Sequence, residues 1–247
     1  MEIVQLNQIS PDQVIIWSWG FITITATLLY TWLVMSILVV GSWLATRNLS
    51  TEINVSRWQH FLEVVISGIR GEISEMTKKG ADSYIPLIGT LFLFIGLSNI
   101  LIVVPGFIAP TSSITTTGAL AICVFVAVPM YGISQNGLLH YLKEYFQPNF
   151  IFFPFHVMGE LSRTLALTVR LFGNIMSHEK VVGILLAVTP LLFPIIMQAL
   201  GLLIGIIQAY IFAILSMVYI ASAISAHEEG HKKVELNKAE INEGIPA

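Results

Sequence analysis

Residues 160–180 read ELSRTLALTVRLFGNIMSHEK, with Arg170 set among Leu161, Leu165, Leu167, Val169, Leu171, Phe172 and Ile175. An arginine at membrane depth costs roughly 3 kcal/mol on insertion scales, so such residues mark ion pathways or pair with a partner. Snorkelling to the headgroups belongs near a span end, whereas Arg170 sits midway along its apolar run. Wound as a helix, Arg163, Arg170, Asn174 and Ser177 fall within about 40° of one line, because seven residues nearly close two turns. The result is a polar stripe on an apolar helix.

The rest of the chain has the same character. Of 247 residues, 55% are hydrophobic and only 11% charged, and mean hydropathy is +0.79. Soluble domains carry roughly 25% charged residues, so the composition predicts a polytopic membrane protein. The net charge of −3 gives no sign of a nucleic-acid partner. Cys123, the single cysteine, excludes an internal disulfide and reads as helix packing. Glu2 and Asp12 stand where a cleavable signal would need positive charge, and none is predicted.

Outward from that stripe, the apolar runs predict an all-α membrane fold. A single membrane domain covers 1–247, with five transmembrane helices and one interfacial amphipathic helix. No Asp, Glu, Lys or Arg occurs from Gln13 to Thr46, which predicts a long or tilted first span over 14–46. Over 54–79, Val55, Trp58, Leu62, Val65, Ile66, Ile69, Ile73 and Met76 recur at helical spacing. Arg57, His60, Glu63, Arg70 and Glu75 lie off that stripe, which predicts a helix lying in the interface plane or on a partner. Lys78, Lys79 and Gly80 suit its end. Spans at 84–104 and 119–142 follow, joined by the turn-forming PGFIAPTSSITTTG. The linker HYLKEYFQPNFIFFPF leads to runs at 152–188 and 191–226, parted by Thr189-Pro190. Each could reach about 50 Å as helix against a core of ~30 Å, so the pair is predicted as a long, tilted hairpin. Residues 227–247 read as a charged cytoplasmic tail.

Five spans put the termini on opposite sides. Arg47, Arg57, Arg70, Lys78, Lys79, Lys143, Lys232, Lys233 and Lys238 then share one side, while 1–13, 105–118 and 189–190 hold no Lys or Arg. The positive-inside rule places the N-terminus outside and the tail in the cytoplasm.

Guanidinium keeps its proton in proteins, so Arg170 needs a carboxylate. Glu179, nine positions on, points to the opposite face of a regular helix, and Glu160 lies near the cytoplasmic end. The counter-charge is therefore expected on another subunit. Asn174 and Gln208 are amides in apolar helices, suited either to a cross-helix bond or to lining a path. Gly201, Gly205, Gln208, Phe212 and Tyr219 share one face of the last helix, where the glycines fit a small-xxx-small contact. His178 and Glu179 lie toward the outer end of their helix, beside Lys180, as a channel lining or a polar helix end. His156, Glu160, Arg163, Gln135, Asn136 and His140 lie toward the cytoplasmic side, as an exit path or interface residues. HEEGH at 227–231 fits the zinc-protease pattern. Its position at a helix end, Gly230 within it and the lack of an evident third ligand argue against metal, and no metal or cofactor is predicted.

TVRLFGNIMSHE resembles the R-L-F-G-N signature of subunit a of F-type ATP synthases. GIIQAYIFAILSMVYIASAISAHEE, at 205–229, is similar to that family's last helix, including the core formed by Gln208, Ala209, Ile211 and Phe212. The resemblance implies an ion-conducting stator subunit with no catalytic chemistry of its own. Its implied partners are a c-subunit ring, peripheral-stalk b subunits, membrane lipids and a coupling ion, H+ or Na+. Its implied location is a bacterial plasma membrane. Arg170 becomes the arginine between two half-channels, Asn174 and Gln208 channel-lining amides, and Glu179 a carboxylate of the entry half-channel. His178, Glu160, Arg163 and Tyr219 join them as expected ion-pathway residues. One departure stands out, since Ile102 occupies a place where several members carry an acid. The rival readings are a secondary transporter, for which no internal repeat is visible, and a membrane zinc protease.

Overall fold

A computed structural model describes residues 15–19, 22–47, 57–77, 81–104, 106–137, 153–189 and 193–243. Among them, five helices are long and apolar enough to cross a membrane, and the fold is all-helical apart from one short hairpin. That hairpin corrects the first span. Strands β1 (Ile15–Trp19) and β2 (Ile22–Thr25) pair antiparallel with one irregularity, and helix α1 (Ala26–Thr46) begins only after them. The Ile-Thr-Ile-Thr run is β-branched throughout and favours the pleated form. The 21 residues of α1 already reach about 31 Å, enough to span without the residues before them.

Helix α2 (Arg57–Met76) is amphipathic and is not among the five candidate spans. Its Ile73 is buried against Tyr84, Ile88, Met217 and Ile220, with Ile69 and Met76 alongside. Arg70 on its outer side meets Asp82 at 2.9 Å. The Lys78–Gly80 stop lies outside the described residues.

Helix α3 (Ala81–Ile100) runs into a 3-10 turn at Leu101–Val103. The connection that follows folds inward, against the expectation of a plain neutral loop. Ala109, Thr111, Ser112 and Ser113 are fully buried, and a second 3-10 turn spans Pro110–Ser112. Ser113 then caps α4 (Ile114–Asn136) by accepting from the Thr116 N–H, so this helix starts five residues before the predicted 119. It ends at Gly137, whose φ of +81° suits glycine and lets its N–H reach the Ile133 carbonyl.

Helices α5 (Phe153–Val188) and α6 (Phe193–Glu243) form the long hairpin. Their contacts run antiparallel, since residue 178 meets 201, 174 meets 208 and 163 meets 219. α6 continues past the predicted limit at 226 to Glu243. The EEGHKKVELNKAEINE run is rich in strong helix formers, which outweigh the ~1 kcal/mol cost of Gly230. The HEEGH side chains lie outside the described ones.

The core sits where α3, α4, α5 and α6 meet. Leu91, Phe94 and Ile95 of α3, Val124 of α4, Leu167, Leu171 and Ile175 of α5, and Ala209 and Phe212 of α6 form one buried cluster. Apolar surface gains little from leaving lipid, so close backbone approach and interhelical hydrogen bonds hold such bundles. Both are present. A Cβ at Gly205 would come within 2.7 Å of the Asn99 Cβ. Through the space the glycine leaves, Asn99 Nδ2 donates to the Gly205 carbonyl at 2.8 Å, while Thr111 Oγ1 donates to Asn99 Oδ1 at 2.9 Å.

Candidate functional site: a polar seam along helices α5 and α6

Leu167, Leu171 and Ile175 turn one face of α5 into the core. On the same period Arg163, Arg170, Asn174 and Ser177 fall on a line about 90° around the helix from that core face, and all four are exposed. Arg170 is exposed, on a helix whose Leu161, Leu165 and Val169 are exposed as well. No hydrogen bond or ion pair joins it to another described residue.

Beside it, Asn174 Nδ2 donates to Gln208 Oε1 at 2.8 Å. Gln208 is 3% exposed, and its own Nε2 has no partner among the described residues. The cross-helix bond is thus present, with one end of Gln208 tied to Asn174 and the other without a partner among the described residues. Toward the start of α5, Glu160 lies 3.7 Å from Arg163, whose guanidinium stacks 5.4 Å from the Tyr219 ring centroid. These three predicted residues meet as one cluster.

His178 and Glu179 stand at the other end. They line a cleft of about 470 Å³ together with Ile102, Val103, Phe107 and Gln198. The His178 imidazole lies over Gly201, where any Cβ would overlap the ring. Glu179 turns away from the Arg170 side and is half-buried beside this cleft. Ile102 lines this cleft as an apolar residue, and its carbonyl accepts from Gln198 Nε2 at 2.8 Å. The polar positions therefore form three groups along the α5–α6 seam: the inner cluster, the central amide pair beside Arg170, and the outer cleft. His156, Gln135, Asn136 and His140 lie outside the described side chains.

Sequence reading missed Asn99, Thr111, Ser112 and Gln198. Asn99 and Gln198 are lone amides in apolar helices, a signal as strong as that of Gln208. Thr111 and Ser112 lay in a segment read as connecting loop, and nothing local distinguishes a re-entrant turn from an exposed one.

Five apolar spans around a polar seam, with a guanidinium that pairs with none of the described residues, define a multi-pass helical membrane protein. The family model described as ATP synthase A chain matches residues 28–221. Curated relatives agree over nearly full length. ATP synthase subunit a 2 of Acaryochloris marina is 55% identical over 224 residues, covering 91% of this chain and 96% of its own. ATP synthase subunit a 1 of Crocosphaera subtropica is 51% identical, covering 89% and 96%. ATP synthase subunit a of Albidiferax ferrireducens is 52% identical, covering 87% and 94%. The chain belongs to the ATP synthase subunit a family, a membrane subunit of the Fo sector that is not catalytic alone.

Proposed function

We propose that this chain is the ion-conducting stator of a rotary ATP synthase, passing H+ or Na+ through two offset half-channels to carboxylates on a rotating c ring. The observation that carries the reading is Arg170, an exposed guanidinium on an apolar helix that pairs with no acid among the described residues. A ring carboxylate facing lipid must be neutral, because a bare charge is costly there. As it comes opposite Arg170, the positive charge favours its ionised form and the ion is released. The same fixed cation repels an ion attempting to cross directly between the half-channels. The membrane potential supplies about 2.3 kcal/mol per charge per 100 mV to each transfer.

In this reading the cleft of His178 and Glu179 serves entry from outside, Asn174 and Gln208 guide the ion to the ring, and the Glu160–Arg163–Tyr219 cluster borders the exit. The chain sits in a bacterial plasma membrane, N-terminus outside and C-terminus cytoplasmic, with peripheral-stalk b subunits and lipids as further partners. The test is Arg170→Gln and Arg170→Ala in the whole complex reconstituted in liposomes. ATP-driven pumping and synthesis should vanish while the complex assembles normally. Coupled synthesis at the wild-type rate would overturn the reading.

A further inference from the structure

Among the described residues that line the cleft of about 470 Å³, three side chains carry polar atoms: His178, Glu179 and Gln198. The first two come from α5, and Gln198 completes the set from α6. Gln198 also borders a second hollow, of about 430 Å³, which reaches Pro194 and Ile195 at the start of α6. Among the described residues lining that hollow it is the single polar side chain. Gln198 therefore stands where the two spaces adjoin, together with Val103, Val182 and Leu186.

Its orientation has a local cause. Helix α3 runs out in the 3-10 turn at Leu101–Val103, and the last carbonyls of a helix lack intrahelical partners. Gln198 Nε2 donates to one of them, the Ile102 carbonyl, at 2.8 Å. The reversed amide would set oxygen against oxygen, so this contact fixes which end is which. Oε1 is then the open end, with no partner among the described residues. A carbonyl-type oxygen held in place can accept from a protonated water, or replace part of the hydration shell of a metal cation.

We propose that Gln198 is a third ion-path residue, whose Oε1 receives the entering cation where the two hollows adjoin and passes it on toward Glu179. The tie to Ile102 holds that oxygen in place. The inference rests on the reading of His178 and Glu179 as the entry path. A hydrated proton and a sodium ion are served alike, since each presents positive charge to the oxygen. α5 brings the ionisable neighbours His178, Glu179 and Lys180. The packed elements bring no Asp, Glu, Lys or Arg, since none occurs between Ser83 and Leu142 or between Pro190 and Ala226. A neutral amide in such surroundings binds a cation without trapping it, as conduction requires.

The experiment uses the whole complex in liposomes, with Cys123→Ser as background so that Gln198→Cys adds the single thiol of this chain. A cationic, membrane-impermeant thiosulfonate is applied on the entry side or on the opposite side. Q198C should be labelled from the entry side alone, and labelling should stop most synthesis. Gln198→Leu, untreated, should slow synthesis by about tenfold at low ion concentration on the entry side, the effect of losing one hydrogen bond to a charged group. At fixed driving force the loss should shrink as entry-side H+ is raised, or entry-side Na+ where sodium drives synthesis, because the residue acts before the ring is loaded. Glu179→Gln should lose most synthesis. If Q198L fails to assemble, the sided labelling of Q198C decides the question by itself. Q198C that resists labelling from the entry side, or is labelled without loss, overturns the role of Gln198 alone when E179Q is impaired. So does a Q198L loss equal at every ion concentration, which would mark the amide as a mere tie between α3 and α6. Wild-type synthesis in E179Q overturns the entry-path reading, and the Gln198 role with it.

Discussion

Replacing Gly205 by alanine should unsettle the bundle at the point where α3 and α6 come closest. The new Cβ would stand 2.7 Å from the Asn99 Cβ, about 1 Å short of an optimal carbon–carbon separation. The obstacle cannot swing aside. It is the root of a side chain, and that side chain is held at both ends, by the Gly205 carbonyl at 2.8 Å and by Thr111 at 2.9 Å. Relief requires the helices to separate, which lengthens the bond from Asn99 to the Gly205 carbonyl. Overpacking of this kind costs about 1–3 kcal/mol, and each weakened interhelical hydrogen bond in a membrane bundle adds roughly 0.6. The sum is about 2–4 kcal/mol, which for a chain of this size lowers the thermal midpoint by about 4–16 °C. Thermal unfolding of the purified chain in detergent, followed by circular dichroism, reads this directly. Because the loss comes from one atomic conflict, Asn99→Gly, which deletes the opposing Cβ, should recover part of it when combined with G205A. Strict additivity of the two single variants, or an unchanged midpoint in G205A, would refute the argument.

Two further outcomes test the seam and the surface. In a double-mutant cycle, Asn174→Ala and Gln208→Ala should be coupled by about 0.6 and at most 1.7 kcal/mol in the same unfolding assay. A vanishing coupling would mean that the 2.8 Å bond between them contributes nothing to holding α5 on α6. Arg70→Ala should shift stability by less than about 1 kcal/mol, because its pair with Asp82 is solvent-exposed on both sides. A loss several times larger would show that this ion pair, rather than Ile73 and its apolar neighbours, docks α2.

How much was legible beforehand divides along physical lines. Composition and the spacing of charge determined by themselves that the chain is a membrane bundle, that 57–76 differs from the spans, and that Arg170, Asn174 and Ser177 share a line. Hydropathy and helical period are properties of consecutive residues, so they survive in one dimension. The RLFGN motif and the Gln208 helix likewise sufficed for the family, because a motif is a local string. The start of α1 and the reach of α6 escaped, since ends are set by competition between local propensities and whatever packs against them.

What only the tertiary structure decided is which groups meet across helices. The clasp of Asn99 and Gly205 joins residues about a hundred positions apart, and the buried turn at Pro110–Ser112 looks in sequence like any exposed loop. Such pairings depend on interhelical distance and rotation. Those follow from how glycines, amides and buried hydroxyls satisfy one another in a medium without water, and no run of consecutive residues encodes that.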